Sequence, residues 1–533
     1  MLIRHFTARI VAVAAVAAMA AASVSTVAQS RQTPSLAGLS TRAERSNFTE
    51  TSRYDDVQQF LAAVAQASDL VHLTSFGYTF EGRSLPLAVV GRVPNATPAA
   101  VRASGKLRVY IQANIHAGEV EGKEAALALV RDIAKGAHAD WMASMVLLVN
   151  PIYNADGNEK VTLTSRGFQH GPMGGQGTRA NAQGLNINRD NIKLDTPEAR
   201  SMVRLLNDFD PHVMLDLHTT NGSRHAYQLT YETPNNPAID PAVVRETAAW
   251  LAQVVKAVKA KDGWDFRSYG NVSGQTPERV WTTVEDLPRY THNYWGLRNR
   301  FGILSETYSY LPFAERVTNN RRFLEEVLGY ANANAARLRD LAAAADTTSL
   351  VGQRLSLRSA VARRPEKIEI LMGAVDEDVN PYSGRIIHKR RNVSTPERMW
   401  DETTFASTDS ERVPAAYVVP ASEKAVLERL RAHGIALEPL GTGAVPALEE
   451  FQIASATSTP QAFENHQERT VTGSWTAAAA RDLAGAVRVP MTQRLARLAF
   501  YLLEPRSNDG LATWNVVDEA IKESRYPVLR TRE

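Results

Sequence analysis

Between residues 54 and about 345 the sequence alternates short apolar runs with stretches of helical apolar spacing, and this alternation constrains the fold most. Residues 107–115, 145–149, 211–217 and 301–305 read as strands. The runs at 145–149 and 301–305 are nearly all apolar, as expected of strands covered on both faces. Residues 120–135, 196–209 and 240–261 read as helices. The last two open on Thr196-Pro197 and Asp240-Pro241, which supply an N-cap oxygen and a proline in the first turn. Residues 317–344 read as one long helix. Strands alternating with helices imply an α/β fold, with a mixed, mostly parallel sheet flanked by helices. Ligand sites in such sheets lie at the carboxyl ends of the strands.

The flanking segments differ in texture. Arg4, His5 and Arg9 precede an apolar run from Ile10 to Ala22, and Thr26-Val27-Ala28 offers small residues for cleavage. Residues 1–28 therefore read as a secretory signal, shorter in its apolar part than the ~20 residues of a membrane span. The expected location is exported, periplasmic or extracellular, with no transmembrane segment once the signal is removed. Residues 29–53 read as an N-terminal extension with little structure, 54–346 as the principal domain, and 347–533 as a smaller C-terminal α/β or β-rich accessory domain. Within the last, residues 415–440 read as a strand–helix–strand unit. Residues 171–177, rich in glycine, lack the Lys-Ser/Thr ending and strand–helix frame of a phosphate loop and read as a mobile loop over a cleft.

Charge and cysteine content remove whole classes of function. The 60 Lys+Arg against 57 Asp+Glu include two arginines in residues 1–28, so the remainder is close to neutral and nucleic acid is not an expected partner. The chain has no cysteine, which excludes thiol nucleophiles, iron–sulfur clusters and Cys-ligated zinc. Any metal must be held by His, Asp or Glu.

Two candidate ligand segments stand at strand ends. In Asn114-Ile115-His116-Ala117-Gly118-Glu119, His116 and Glu119 are three apart where a strand meets a helix. In Leu215-Asp216-Leu217-His218-Thr219-Thr220, His218 closes another strand. Two imidazoles and one carboxylate leave the fourth tetrahedral position of a zinc ion open, as in catalytic sites. The alternative is that the two histidines are separate, hydrogen-bonded loop residues. Glu306, after the strand at 301–305, stands at the same edge and could act as a general base on zinc-bound water. Asn188-Arg189 offers a planar fork suited to a carboxylate.

Taken in order, His116-x-x-Glu119, Asn154-Ala155-Asp156-Gly157, Arg179, Asn188-Arg189, His218 and Glu306 resemble the zinc carboxypeptidase family of metallopeptidases, over roughly residues 54–330. The resemblance implies a carboxypeptidase fold and one zinc per chain, held by His116, Glu119 and His218. Glu306 becomes the general base and proton carrier. Arg179, with Arg166 as rival, becomes the group that polarises the scissile carbonyl. Asn188 and Arg189 would grip the terminal carboxylate of a peptide, the implied partner. Tyr294 is taken as the substrate-covering tyrosine, with Tyr290 as the alternative. Asn186 stands where the family usually carries an Asp that orients a ligating histidine. The expected activity is hydrolysis of C-terminal peptide bonds. The alternatives are deacylation of N-acyl amino acids, cleavage of murein peptides, or a zinc-binding module without turnover.

Overall fold

The computed structural model describes residues 35–220, 222–441, 447–479, 482–517, 521 and 525–531. The expected signal segment, residues 1–28, lies outside them. Eight strands form the central sheet: β1 (Val71–Tyr78), β2 (Ser84–Val90), β3 (Leu107–Ala113), β4 (Met145–Asn150), β5 (Val213–Thr219), β6 (Leu229–Glu232), β7 (Phe266–Ser268) and β10 (Phe301–Thr307). Between β7 and β10 the chain makes β8 (Asn271–Ser273) and β9 (Val280–Thr282), which join another sheet. The order is β1-β2-β4-β3-β5-β10-β6-β7. Its centre, β4-β3-β5-β10, is parallel, while β1, β2 and β6 enter antiparallel pairs. Every residue of β3, β4 and β5 is buried, which explains the apolar run of β4 and the apolar majority of the other two.

Register decides which side chains meet. Ser305 pairs with Leu217 and Glu306 with His218, and paired residues on neighbouring strands face the same side of the pleat. The Leu217 side is covered by helix Glu121–Ala134. There a Cβ on Gly122 would stand 2.6 Å from the Leu217 Cβ, so only glycine permits this approach. Helix Phe313–Ala333 lies on the same side, where Asn320 Nδ2 donates to Thr307 Oγ1 at 3.1 Å. Helix Thr291–Leu297 covers the opposite side, with the His292 carbonyl against Gly302. His218 and Glu306 share that second side with Asp216.

Several local expectations require correction. The long helix predicted over 317–344 is two helices, Phe313–Ala333 and Ala335–Thr347, broken at Asn334 (φ −118°, ψ 18°), whose side chain bonds to the Tyr330 carbonyl in competition with the backbone. The extension is packed from residue 41 onward. A capping box of Thr41 and Glu44 starts helix Arg42–Arg45, and Thr51 and Ser52 bond to buried Glu124. The glycine-rich stretch 171–177 is not a loose flap. Gly174 N donates to the Thr49 carbonyl, Gln176 bonds both ways with Thr162, and a Cβ on Gly177 would meet the carbonyls of Gly157 and Ala117 at 2.5 and 2.8 Å. Its glycines allow close backbone contact beside the site.

Beyond residue 347 the chain is mostly β. It includes a six-stranded sheet and the four-stranded sheet that β8 and β9 complete, where β9 pairs in parallel with Thr395–Glu402. The expected strand–helix–strand unit is Ala416–Val419, Lys424–His433 and Glu438–Pro439, with Val487–Pro490 inserted antiparallel between its two strands. The main hydrophobic cluster among the described residues runs from Val57 to Val528, so C-terminal residues pack directly against the central α/β layers.

Candidate metal centre and active site

Three adjacent parallel strands, β3, β5 and β10, deliver the site at one sheet edge. Asn114, just past β3, takes a left-handed conformation (φ 65°) that Asn tolerates better than most residues. Its Nδ2 donates to the carbonyls of Ala117 and Glu119, both at 3.3 Å. Glu119 N donates to the His116 carbonyl at 2.9 Å. This turn puts the His116 and Glu119 side chains on one side. Asn154 braces it from the Asn-Ala-Asp-Gly motif: its Nδ2 donates to the carbonyls of Ile115 and Arg179, at 3.2 and 3.3 Å.

The structure brings His116, Glu119 and His218 together. All three are buried, and ligand atoms from them lie within 4.8 Å of one another. His116 Nδ1 is 3.1 Å from Glu119 Oε1, and His218 Nδ1 is 2.9 Å from Glu119 Oε2. Two inward-facing imidazole nitrogens and a carboxylate suit zinc in donor chemistry, number and spacing. The outer nitrogens also have neighbours. His116 Nε2 is 3.1 Å from Asn186 Oδ1, and His218 Nε2 is 2.9 Å from Asp216 Oδ2, an ion-pair approach without hydrogen-bond alignment. Such outer contacts fix the tautomer and orientation of ligating histidines.

Charge is concentrated and unevenly shared. Burial pushes the His116 imidazole down to about 4, with Arg179 assisting and Glu119 opposing. Burial would also lower His218, but Asp216 and Glu119 outweigh it and raise that imidazole well above its ordinary value. Burial would raise Glu119, but His116, Arg166 and the bonds from both histidines hold it well below the carboxylate range. Glu306 goes the other way: burial, with Glu119 adding, pushes its carboxyl up against the pull of His218 and two arginines. Its Oε2 is buried without a hydrogen-bond partner among the described residues.

Arg179 Nη1 lies 3.2 Å from His116 Nδ1 and 3.7 Å from Glu119 Oε1, and its side chain is 43% exposed. Arg166 is more enclosed. Its guanidinium bonds to Glu119 Oε1 at 3.0 Å and to the carbonyls of Thr219 and Thr220. Both arginines therefore reach the centre; Arg179 has the freer head group. Asn188 is buried, and its Oδ1 accepts from Thr291 N at 3.4 Å. The Arg189 guanidinium stacks 4.0 Å over the Tyr290 ring, and among the described residues it makes no ion pair.

Tyr294 is not brought to the cleft. It is fully buried, and its hydroxyl is 2.8 Å from His433 Nδ1. Tyr290 is the N-cap of helix Thr291–Leu297, stacked with Arg189, whereas Tyr294 stands one turn later, buried in the core. Sequence reasoning also missed Asp216 as a partner of His218, although it lies two residues away on the same strand face. It missed Glu464 altogether. That carboxylate crosses from the C-terminal half to accept from Asn186 N at 2.8 Å, a contact spanning 278 residues with no local sequence signal.

Comparison with known proteins gives a match to the zinc carboxypeptidase family over residues 57–301. Carboxypeptidase 2 of Trichophyton equinum is 23% identical over 538 residues, covering 94% of this chain and 91% of that protein. Carboxypeptidase 2 of Trichophyton rubrum is 23% identical over 530 residues, covering 93% and 89%. Among solved structures, a metallo-carboxypeptidase from Burkholderia cenocepacia aligns with TM-score 0.39 and 17% identity, over 52% of this chain and 69% of that one. Carboxypeptidase A from Helicoverpa armigera aligns with TM-score 0.40 and 14% identity, over 54% and 75%.

Proposed function

Since residues 57–301 are a zinc carboxypeptidase domain, we propose that this metallocarboxypeptidase is exported, holds one zinc ion on His116, Glu119 and His218, and removes residues from the free C-terminus of peptides. The observation that carries the reading is the convergence of those three side chains beside Glu306, which is paired in register with His218. Bound there, zinc would acidify water and polarise a carbonyl. The chain's own groups divide the remaining work. Glu306 takes a proton from the attacking water and returns it to the leaving amine, a role suited to a carboxyl whose affinity for protons burial has raised. Arg179 donates to the scissile carbonyl oxygen as negative charge develops on it. Asn188 and Arg189 receive the terminal carboxylate. A half-buried arginine that loses that partner forfeits charge-assisted hydrogen bonds of roughly 1.5–3 kcal/mol, which favours chain ends over internal bonds. Tyr290, stacked on Arg189, stands where it can close over the terminal residue. The positive, apolar and small-residue succession of residues 1–28 supports export.

The test is release of single C-terminal residues from a peptide library, followed by mass spectrometry. Chelation should abolish release and zinc should restore it at one equivalent. Glu306→Gln should retain zinc and peptide binding while losing turnover by at least ~100-fold. Peptides with an amidated C-terminus should resist cleavage. Equal cleavage of free and amidated peptides would overturn the exopeptidase reading.

A further inference from the structure

A cavity of about 610 Å³ adjoins the metal centre through Arg166 and Arg179 but shares no residue with the Asn188–Arg189 grip. A peptide whose terminal carboxylate lies at the grip and whose scissile carbonyl lies at Arg179 must continue away from the grip. The adjoining cavity is where its upstream residues would run. This argument rests on the function proposed above.

The walls have a distinctive chemistry. Three arginines, Arg166, Arg179 and Arg224, line the cavity, and among the described residues no Asp or Glu does. Arg166 is committed to Glu119 and Arg179 leans on Glu119 and His116. Arg224 is exposed and makes no ion pair among the described residues. The opposite wall is aromatic: Phe168, 51% exposed, stacks on His388 at 4.3 Å between ring centroids, and Tyr310 meets His388 edge-on at 5.1 Å. His388 comes from the C-terminal half, and its strand docks here through His388 N to the Phe168 carbonyl and Arg390 N to the Tyr310 carbonyl, both 2.8 Å. Glu119 lies against Arg166 and Arg179 at the metal-centre end; on the side of His388 stand Glu377, opposite it in its strand pair, and Asp378, 3.8 Å from His170, both exposed.

We propose that this cavity is the upstream subsite of the enzyme and that Arg224, beside the Phe168–His388–Tyr310 wall, selects peptides with an acidic side chain one or two residues before the scissile bond. A carboxylate there meets the uncommitted Arg224 guanidinium, while a lysine meets that like charge. The C-terminal half then has a defined part in substrate choice, since it supplies His388.

The experiment uses the full-length zinc-loaded enzyme and blocked peptides that share one C-terminal residue and carry Glu, Gln or Lys at each of the two upstream positions. At one position or the other, Glu should exceed Gln in kcat/KM by about fivefold, the upper range for one partly exposed charge pair, with Lys below Gln. In Arg224→Gln the Glu/Gln ratio should fall to about one. The ratio is read within one preparation, so partial loss of folded enzyme cancels. Arg224→Glu should reverse the order of Glu and Lys. Cleavage of all three peptides with Gln equal to or above Glu at both positions would overturn the inference and leave the carboxypeptidase reading standing. A Glu preference unchanged in Arg224→Gln would overturn the assignment to this cavity. Failure to release the C-terminal residue from any peptide would refute the proposed function, and this inference with it.

Discussion

Asn186 offers the sharpest test of how this chain tunes its metal. His116 Nε2 lies 3.1 Å from Asn186 Oδ1, a neutral acceptor, whereas His218 Nε2 lies 2.9 Å from the Asp216 carboxylate. Asn186→Asp would place a negative charge behind His116 without lengthening the side chain. A metal–nitrogen bond of about 2.1 Å, the ring and the 3.1 Å contact put that charge roughly 7 Å from a bound ion. At an effective dielectric of about 20, a dication and a unit charge at that distance attract by about 5 kcal/mol. Much of this is offset. The new carboxylate must be desolvated, and Glu464, which accepts from Asn186 N at 2.8 Å, repels it. Outer partners of ligating histidines typically change metal affinity by about 10–100-fold, so a tenfold tightening of zinc Kd is expected for Asn186→Asp. Asn186→Ala should weaken binding by a similar factor. Zinc titration of the metal-free protein against a competing fluorescent chelator measures both. The double variant Asn186→Asp/Glu464→Gln should tighten binding further, by removing the repulsion. Equal Kd values for wild type, Asn186→Asp and Asn186→Ala would refute the view that this contact governs the ligand.

Three other outcomes follow from the geometry. Arg189→Ala should lower kcat/KM on free peptides by about 100-fold, from loss of roughly 3 kcal/mol of carboxylate binding, with thermal unfolding nearly unchanged; a small kinetic effect would remove Arg189 from the grip. Tyr294→Phe should cost about 1 kcal/mol of stability through loss of the 2.8 Å contact with His433 and leave kcat/KM as it was, whereas Tyr290→Ala should impair kinetics; the reverse pattern in peptide assays and urea melts would restore Tyr294 to the cleft. Glu232, 5% exposed and bonded to Thr233 N at 3.1 Å and to the Thr283 hydroxyl, has its carboxyl pushed by burial up to about 7. The folded state therefore holds the proton more tightly than the unfolded chain. That contribution is complete below about pH 4.5 and is lost as pH rises towards 7, so Glu232→Gln should stabilise by about 2–3 kcal/mol at pH 8 and by little at pH 4.5. Urea denaturation at the two pH values checks the slope, and an equal difference at both would contradict it.

Legibility in the sequence followed physical locality. Strands β3, β5 and β10 announced themselves because burial on both faces demands apolar runs, and a polar His or Glu closing such a run has few places to point other than the sheet edge. The Asn-Ala-Asp-Gly motif was visible, but its work is structural: Asn154 caps a short helix and ties Ile115 to Arg179. Glycines 171–177 suggested a loose loop because composition alone cannot separate glycine used for freedom from glycine used for close approach; contacts such as Gly177 against Ala117 make it the second. The two tyrosines differ by one helical turn, and only the direction of helix Thr291–Leu297 relative to the core puts Tyr290 against Arg189 and Tyr294 against His433.

By itself the sequence determined the layered α/β order, the identity of the ligand-type residues and their positions at strand ends, because apolar period and capping chemistry act over a few residues. Tertiary structure alone decided the convergence to within 4.8 Å, the facing of Glu306 and His218 through strand register, and the entry of Glu464 and His388 from the C-terminal half. Those facts depend on contacts between residues far apart in the chain, whose closure is fixed by packing of the whole core and leaves no mark on any local stretch.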